Sequence, residues 1–267
     1  MLNRIKLFEY EFISELNVNE VICDIISHDS FEKPHHLPFL ITPNVDYIVK
    51  LAKPDKSELK KILQKSLYIL PDGQPIVWTS KFLGRGLKAR LAGSDLFPAL
   101  WNKCKETNLK VLALTSSDSI SEALTNDNPL ALCYSLPFFE KDDKSLLDHL
   151  TDKYVQVIVE NDIKIVLLGI SFPKQDILAV SIYKRLKSMK EVKLPLFCML
   201  GASFEFYIQI KKRAPLFIQK SGFEWLHRFS QEPNRLFRRY FIESVMFINI
   251  VFNEIFNRKS LTDDKPA

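Results

Sequence analysis

The chain has 267 residues, of which 46% are hydrophobic and 26% charged, and its formal net charge is +5. This composition excludes a disordered or fibrous protein and predicts a globular chain with one large core, or one domain with an appendage. The N-terminal stretch contains Glu9, Glu11 and Glu15 and no long apolar run, so we predict neither a signal peptide nor secretion. Four scattered cysteines without Cys-x-x-Cys spacing predict reduced, buried thiols in a cytosolic protein.

The secondary-structure pattern is clearest after residue 37. Before it, we predict a strand over residues 5–12 and an amphipathic helix over residues 18–26. Beyond it, the predicted strands cover residues 40–42, 67–70, 109–114, 130–134, 163–168 and 194–200. The predicted helices cover residues 45–51, 58–65, 76–83, 94–106, 120–124, 145–159 and 175–187. Continuous Val, Ile and Leu runs that alternate with helices are typical of a parallel sheet covered on both faces.

These elements predict an α/β domain over residues 1–212, with a Rossmann-like, mostly parallel sheet flanked by helices. Residues 213–267 are predicted to form a basic, amphipathic helical appendage. Its helices are expected over residues 216–229 and from residue 234 to about residue 257, because Pro233 interrupts the pattern. The second helix has a broad apolar face but is too short and too polar to span a bilayer. A helix at the membrane interface and a helix packed in the core or in a dimer are weighed equally.

The positive charge is concentrated where this appendage begins. Residues 211–239 contain eight Lys or Arg against two Glu, a local charge of +6, whereas the rest of the chain is close to neutral. Such a segment indicates an anionic partner, which can be phosphate, an anionic lipid or nucleic acid. A solvated face is the alternative, and composition leaves this choice open.

Several phosphate-binding and metal-binding motifs are missing from the sequence. It contains neither Gly-x-Gly-x-x-Gly nor Gly-x-x-x-x-Gly-Lys-Ser/Thr, which disfavours dinucleotide and Walker-type sites. It also lacks Asp-x-Asp, the spacing with which many sugar transferases hold a metal on a nucleotide diphosphate. The adjacent His35 and His36 are interpreted as loop residues. We therefore predict no metal and no cofactor.

Asp72 is the first candidate for chemistry. It follows the apolar run Leu67–Leu70 within Pro-Asp-Gly, and the ends of strands in an open α/β sheet face the ligand crevice. The alternative interpretation is a plain turn, because each residue of this tripeptide favours turns.

Several short sequence blocks are informative only when their order and spacing are considered together. They are Ile41-Thr42-Pro43-Asn44, Leu70-Pro71-Asp72-Gly73, Arg90-Leu91-Ala92-Gly93-Ser94-Asp95, Pro173-Lys174-Gln175-Asp176, Gly201-Ala202-Ser203-Phe204, Arg213-Ala214-Pro215 and Glu224 to Arg239. Their order and spacing over roughly residues 38–240 resemble the WecG/TagA/CpsF glycosyltransferase family. The chain departs from the family pattern where Thr115-Ser116 replace a glycine pair and where Asp176 replaces Glu.

The resemblance implies an inverting transfer of a sugar from a UDP-sugar to a polyprenyl-diphosphate-linked sugar in bacterial polysaccharide synthesis. It implies that Asp72 is the general base and that the C-terminal arginines contact the lipid diphosphate. The implied substrate-binding residues are Thr42, Asn44, Arg90, Gln175, Arg228, Arg235 and Arg238. N-acetylmannosamine, its uronic acid and glucose are all open as the donor sugar. The implied location is cytoplasmic, on the inner face of the cytoplasmic membrane, with the C-terminal helix at the membrane surface.

The chemistry of these residue types fits the implied roles. A carboxylate at a strand end can take the proton from an attacking hydroxyl. Arginine is always charged and binds diphosphates in a bidentate manner, which suits both the departing UDP and the lipid diphosphate. The alternatives are a helix N-cap for Asn44 and a polar helix start for Gln175.

Two other classes of function are kept open. A nucleic-acid-binding module would use the basic segment with Phe217, Trp225 and Phe237, although no nucleic-acid motif is present and we expect no nucleic-acid partner. A non-catalytic scaffold of a polysaccharide-synthesis complex is the other alternative. Self-association of the chain is left open.

Overall fold

A computed structural model describes residues 2–140, 142–211, 215, 218 and 243–263. Its centre is a parallel six-stranded sheet in the order β4-β3-β8-β7-β5-β6. These strands are β3 (Leu37–Ile41), β4 (Ser66–Ile69), β5 (Val111–Thr115), β6 (Leu132–Ser135), β7 (Ile165–Leu168) and β8 (Leu196–Met199). The predicted Rossmann-like α/β fold is therefore confirmed.

Helices cover both faces of the sheet. On one face lie α2 (Val45–Leu51), α3 (Ser57–Leu63), α4 (Gln74–Phe82), α7 (Lys144–Asn161) and α8 (Lys174–Lys187). On the other face lie α1 (Val18–Ile26), α5 (Gly93–Glu106), α6 (Asp118–Asp127) and α9 (Ser203–Tyr207). Each strand sends alternate side chains to the two faces, so Val166 and Leu168 join one hydrophobic cluster while Ile165 and Leu167 join the other. This double burial explains the uninterrupted apolar runs.

The N-terminal prediction is corrected by the structure. Instead of one strand over residues 5–12, the chain forms an antiparallel hairpin of β1 (Arg4–Leu7) and β2 (Tyr10–Ile13). Phe8 and Glu9 make the two-residue turn, with φ of 52° and 67°. Two consecutive left-handed residues match the twist of a hairpin, but this turn normally carries Asn or Gly. Because these two residues are not typical of a turn, the sequence pattern predicted one strand where the structure has two.

The other element predictions are confirmed, with shifted ends. Helix α6 is about twice its predicted length, and the short helix α9 was not predicted. The last helix, α10 (Glu243–Asp263), continues beyond residue 257. The predicted helix over residues 216–229 and the start of the second helix lie outside the described residues, and the division at residue 212 stays a prediction.

Helix α10 packs with one face on the α/β domain. Phe247 is 7% exposed and meets the hairpin residue Phe8 edge-on, with ring centroids 5.2 Å apart. Arg85, in the loop after α4, forms an ion pair with Glu254 at 2.5 Å. The outer face remains apolar and exposed, with Val245, Met246, Ile248, Phe252 and Phe256. Packing on the α/β domain thus explains the apolar residues on the inner face of α10. It does not explain those on the outer face.

Two predictions from the sequence, one on membrane-spanning helices and one on the cysteines, can be compared with the described residues. No helix among residues 2–140, 142–211 and 243–263 has the length and hydropathy needed to cross a bilayer. All four cysteines are free, and Cys104 and Cys198 are buried as expected. Cys23 is exposed, because it lies on the outer side of the amphipathic helix α1, so the expectation of a buried thiol is wrong there.

Candidate active site

The sequence blocks meet at the carboxyl edge of the sheet. Thr42 directly follows β3, Asp72 lies three residues beyond the end of the neighbouring strand β4, and Gln175 is the second residue of the helix that follows β7. Gly201 follows β8, which lies between β3 and β7. In open α/β sheets this edge is where ligands bind. The structure therefore brings together four blocks that are up to 159 positions apart in the chain.

Asp72 is held by the backbone of the first block. Its N–H donates to the carbonyl oxygen of Pro43 at 3.0 Å, and its side chain is half-buried. Gly73 follows with φ of +148°, a conformation that L side chains rarely adopt, and a Cβ there would lie 3.7 Å from Asn44 Cβ. Both interpretations of Pro-Asp-Gly therefore apply, because the tripeptide is a tight turn and also a strand end at the ligand edge.

The loop that carries Arg90 is fastened to the same edge. The N–H of Leu91 donates to the Pro71 carbonyl oxygen at 2.9 Å, which joins the third block to the second. The Arg90 guanidinium lies 3.5 Å from Asp95 Oδ2 and is mostly buried. Lys88 anchors the loop to the N-terminal hairpin region through an ion pair with Glu15 at 2.9 Å. The loop of Arg90 is thus braced against the segment that leads to Asp72.

Gly93 marks a close approach between α5 and two hydroxyl side chains. A Cβ at this position would lie 3.2 Å from Thr42 Oγ1 and 3.0 Å from Ser203 Oγ. Only glycine lets the start of α5 fit between these two hydroxyls. Ser203 was noted from the sequence only as part of the block Gly201-Ala202-Ser203-Phe204, and its place beside Thr42 was missed. Its position two residues after Gly201 was the available signal.

Gln175 supports the end of β8. Its side chain is 5% exposed, and its Oε1 accepts a hydrogen bond from the Gly201 N–H at 3.1 Å. Gly201 has a left-handed φ of +53°. The helix-start interpretation is correct, since α8 begins at Lys174. A contact between Gln175 and a substrate stays a prediction.

Asn44 caps helix α2. Its Oδ1 accepts a hydrogen bond from the Tyr47 N–H at 3.1 Å, so the N-cap interpretation is correct. The cap fixes the side chain at the ligand edge, beside Gly73. A substrate contact by Asn44 or Thr42 stays a prediction.

Sequence reasoning missed a buried pair directly behind the site. The Tyr47 hydroxyl donates to Asp176 Oδ1 at 2.5 Å. Burial raises the pKa of Asp176 from 3.8 to about 7, although hydrogen-bonding groups of Tyr47, the Asp176 backbone and Gln175 act in the opposite direction. Burial and the neighbouring carboxyl also raise the pKa of Tyr47 well above its usual value. No periodic pattern links these two residues.

The sheet topology indicates a second ligand position, between the ends of β5 and β7. The chain leaves β5 through α6 on one face and leaves β7 through α8 on the other, so the connections diverge at this point. Such a topological switch point is the usual ligand crevice of an open α/β sheet. Ser116 and Ser171 are exposed at its rim, and Thr115 Oγ1 is bound to Ser121 Oγ at 2.7 Å.

Three predicted site residues, Arg228, Arg235 and Arg238, lie outside the described residues, and their roles stay predictions. In the described part of the chain, no group of three His, Cys, Asp or Glu side chains is arranged to hold a metal ion. His35 and His36 lie in a loop, as predicted, with His36 Nε2 3.5 Å from Glu11 Oε2.

A carboxylate, an arginine and hydrogen-bonding side chains at the carboxyl edge of a parallel sheet define an α/β enzyme. The sequence model of the glycosyl transferase WecG/TagA/CpsF family matches residues 5–261. The chain belongs to this family of glycosyltransferases. The resemblance seen in the separated blocks is thereby confirmed.

Individual relatives match most of this chain and most of their own length. The chain is 25% identical over 202 residues to a Bacillus spizizenii protein, covering 74% of this chain and 72% of the relative. It is 25% identical over 214 residues to a Staphylococcus aureus protein, covering 78% of each. Both relatives are named N-acetylglucosaminyldiphosphoundecaprenol N-acetyl-beta-D-mannosaminyltransferase.

Proposed function

We propose that this protein transfers N-acetylmannosamine, with inversion, from a UDP-sugar to an N-acetylglucosamine linked to a polyprenyl diphosphate. One observation carries the proposal: the blocks of a glycosyltransferase family meet at one sheet edge around Asp72. The names of the relatives favour N-acetylmannosamine over its uronic acid or glucose. The product would be a disaccharide on a lipid carrier for polysaccharide synthesis.

Asp72 is assigned the role of general base. Its carboxylate takes the proton of the acceptor hydroxyl while that oxygen attacks the anomeric carbon of the donor. The bond from this carbon to the diphosphate breaks on the opposite side, and its electron pair leaves with UDP. This geometry inverts the anomeric centre in a single displacement. A positioned base contributes about two to four orders of magnitude in rate.

Arginines are assigned to the phosphates. Arg90 lies in the loop that is hydrogen-bonded to the segment leading to Asp72, and we assign its guanidinium to the negative charge on a diphosphate. Arg228, Arg235 and Arg238 are proposed to contact the lipid diphosphate and the departing UDP. Because the sequence lacks Asp-x-Asp and concentrates Lys and Arg in one segment, we propose that cationic side chains stabilise the leaving group without a resident metal.

The donor nucleotide is assigned to the crevice between β5 and β7. Three strand spacings separate the end of β4 from the end of β7, a distance of about 14 Å. An extended nucleoside diphosphate sugar can bridge this span, so uridine in the crevice would bring the anomeric carbon towards Asp72. Thr42, Asn44 and Gln175 lie between these points and are assigned to sugar hydroxyls.

The outer face of α10 is assigned to the membrane surface. It exposes Phe252 at 52% and Phe256 at 63%, and the names of the relatives specify a lipid-linked acceptor. An amphipathic helix of this kind binds at the interface by burying its apolar face among lipids. We place the protein peripherally on the inner face of the cytoplasmic membrane, where UDP-sugars are available.

The test is UDP release with a short-chain polyprenyl-diphosphate N-acetylglucosamine acceptor and a panel of UDP-sugars. We expect turnover with UDP-N-acetylmannosamine and an inverted linkage in the product. Turnover only with another donor would overturn the sugar assignment. Absence of UDP release with every donor, from folded protein supplied with acceptor, would overturn the transferase itself and favour a scaffold.

A further inference from the structure

Tyr47 and Asp176 join two elements of the candidate site from behind. Tyr47 lies on α2, three residues after Asn44, and Asp176 directly follows Gln175 on α8. Their hydrogen bond, 2.5 Å from the Tyr47 hydroxyl to Asp176 Oδ1, crosses 129 positions of sequence inside the protein. Both side chains are buried, so solvent does not compete for this bond.

Each partner is also connected to the ligand edge. The Tyr47 N–H donates to Asn44 Oδ1 at 3.1 Å, and the side chain of Gln175, the neighbour of Asp176, accepts from the Gly201 N–H at 3.1 Å. The connections run from the end of β3, through Tyr47 and Asp176, to the end of β8. A shift of α2 relative to α8 would therefore move Asn44 away from Gln175.

Stability alone does not account for this pair. Asp176 Oδ2 is buried and has no hydrogen-bond partner among the described residues, and the same holds for the hydroxyl of Tyr10, which interacts electrostatically with Asp176. Apolar side chains of similar volume would fill the same space without burying such groups, and replacements of this kind are often neutral or stabilising. The presence of this pair is better explained by the positions in which it holds Asn44 and Gln175.

We propose that Tyr47 and Asp176 are positioning residues whose hydrogen bond fixes the N-terminus of α2 against the N-terminus of α8. This bond sets the separation between the Thr42–Asn44 block and Gln175. The inference rests on the proposed function, because it concerns the same site. Both residues act from beneath the edge through their neighbours and are not catalytic residues.

Two variants separate positioning from packing. Tyr47→Phe removes only the hydroxyl, whereas Asp176→Asn keeps an oxygen that accepts from Tyr47. We expect Tyr47→Phe to lower kcat about ten- to a hundredfold, the cost of a small misplacement in a site. Asp176→Asn should keep turnover within about threefold of the unmodified protein, since its amide oxygen can still accept the hydrogen bond from Tyr47. Tyr154→Phe is the matched control, because it also removes a buried tyrosine hydroxyl, but one without a hydrogen-bond partner among the described residues.

Hydrogen exchange gives a readout that does not depend on turnover. In Tyr47→Phe, amides of residues 42–47, 174–177 and 200–203 should exchange faster than in Tyr154→Phe. Exchange and kcat equal to those of the control would overturn the positioning role, and so would an Asp176→Asn variant as impaired as Tyr47→Phe. If no donor supports turnover, the proposed function fails, while the exchange comparison still decides the positioning.

Discussion

The backbone N–H of Asp72 donates to the carbonyl oxygen of Pro43 at 3.0 Å, beyond Ile41 and Ile69, the last paired residues of β3 and β4. The chain segments thus stay in register past the end of the sheet, after the bond from Leu70 N–H to Ile41 O at 2.9 Å. The position of Asp72 is set by main-chain atoms. Changes to its side chain therefore test chemistry with little disturbance of the loop.

Replacing Asp72 with Asn should abolish most turnover. Asparagine keeps the volume and can accept hydrogen bonds, but it cannot take a proton from the acceptor hydroxyl. We expect kcat to fall by about two to four orders of magnitude, with little change in KM or thermal stability. Initial rates of UDP release measure this, with Asp152→Asn as control, since Asp152 pairs with Arg185 on the surface. Full activity in Asp72→Asn would eliminate the base assignment.

Gly93→Ala should impair the site by steric contact. The added Cβ would lie 3.0 Å from Ser203 Oγ and 3.2 Å from Thr42 Oγ1, so one hydroxyl must shift. We expect a loss of about 1–3 kcal/mol in unfolding free energy, as in other overpacked sites, and a raised KM for a substrate. Denaturant titration and steady-state kinetics measure the two effects.

A second substitution checks the mechanism of this loss. Ser203→Ala removes the nearer oxygen, so the double variant Gly93→Ala/Ser203→Ala should recover part of the stability lost by Gly93→Ala. Additive losses in the double variant would mean that the contact with Ser203 is not the cause.

Asp176 should give the protein a distinctive pH dependence of stability. In the folded protein its carboxyl stays protonated up to a pKa of about 7, whereas in the unfolded chain it ionises near 3.8. Between these values the unfolded state binds fewer protons, so this group's contribution to stability falls as pH rises from about 4 to 7. Urea titrations across this range should show that decline relative to Asp176→Asn. Parallel curves for the two proteins would contradict the raised pKa.

The Arg85–Glu254 ion pair should govern the docking of α10. Both side chains are mostly buried, and their charged atoms are 2.5 Å apart. Glu254→Arg places two cations together and should make α10 more accessible to protease, with a stability loss of about 1–3 kcal/mol. The exchanged pair Arg85→Glu/Glu254→Arg should restore protection. Failure of the exchanged pair to protect α10 would assign the docking to the Phe8–Phe247 contact instead.

Much of the fold was predictable because burial determines the pattern of apolar residues within each strand and helix. A strand covered on both faces must be apolar throughout, and helices on those faces repeat their apolar residues every three or four positions. The sheet from β3 to β8 follows from these two patterns. The hairpin turn at Phe8 and Glu9 was missed because its left-handed residues are not of the usual turn types.

The site was predictable only in part. Asp72, Arg90 and Gln175 lie in short blocks whose order could be matched to a family, and the structure places them at one edge. The Tyr47–Asp176 bond left no trace in the sequence, because its partners are 129 residues apart and each resembles an ordinary helix residue. The closeness of Gly93 to Ser203 was hidden for the same reason.

Strand β8 is the last strand of the sheet to be synthesised, yet it lies in the middle, between β3 and β7. Within the sheet, the fragment of β3 and β4 and the fragment of β7, β5 and β6 are joined through β8, so the sheet is continuous only once residues 196–199 are present. Asp72 belongs to the first fragment and the crevice between β5 and β7 to the second. Enzyme assembly is therefore delayed until three-quarters of the polypeptide has emerged, and a nascent chain interrupted earlier has no shared edge on which both substrates can meet.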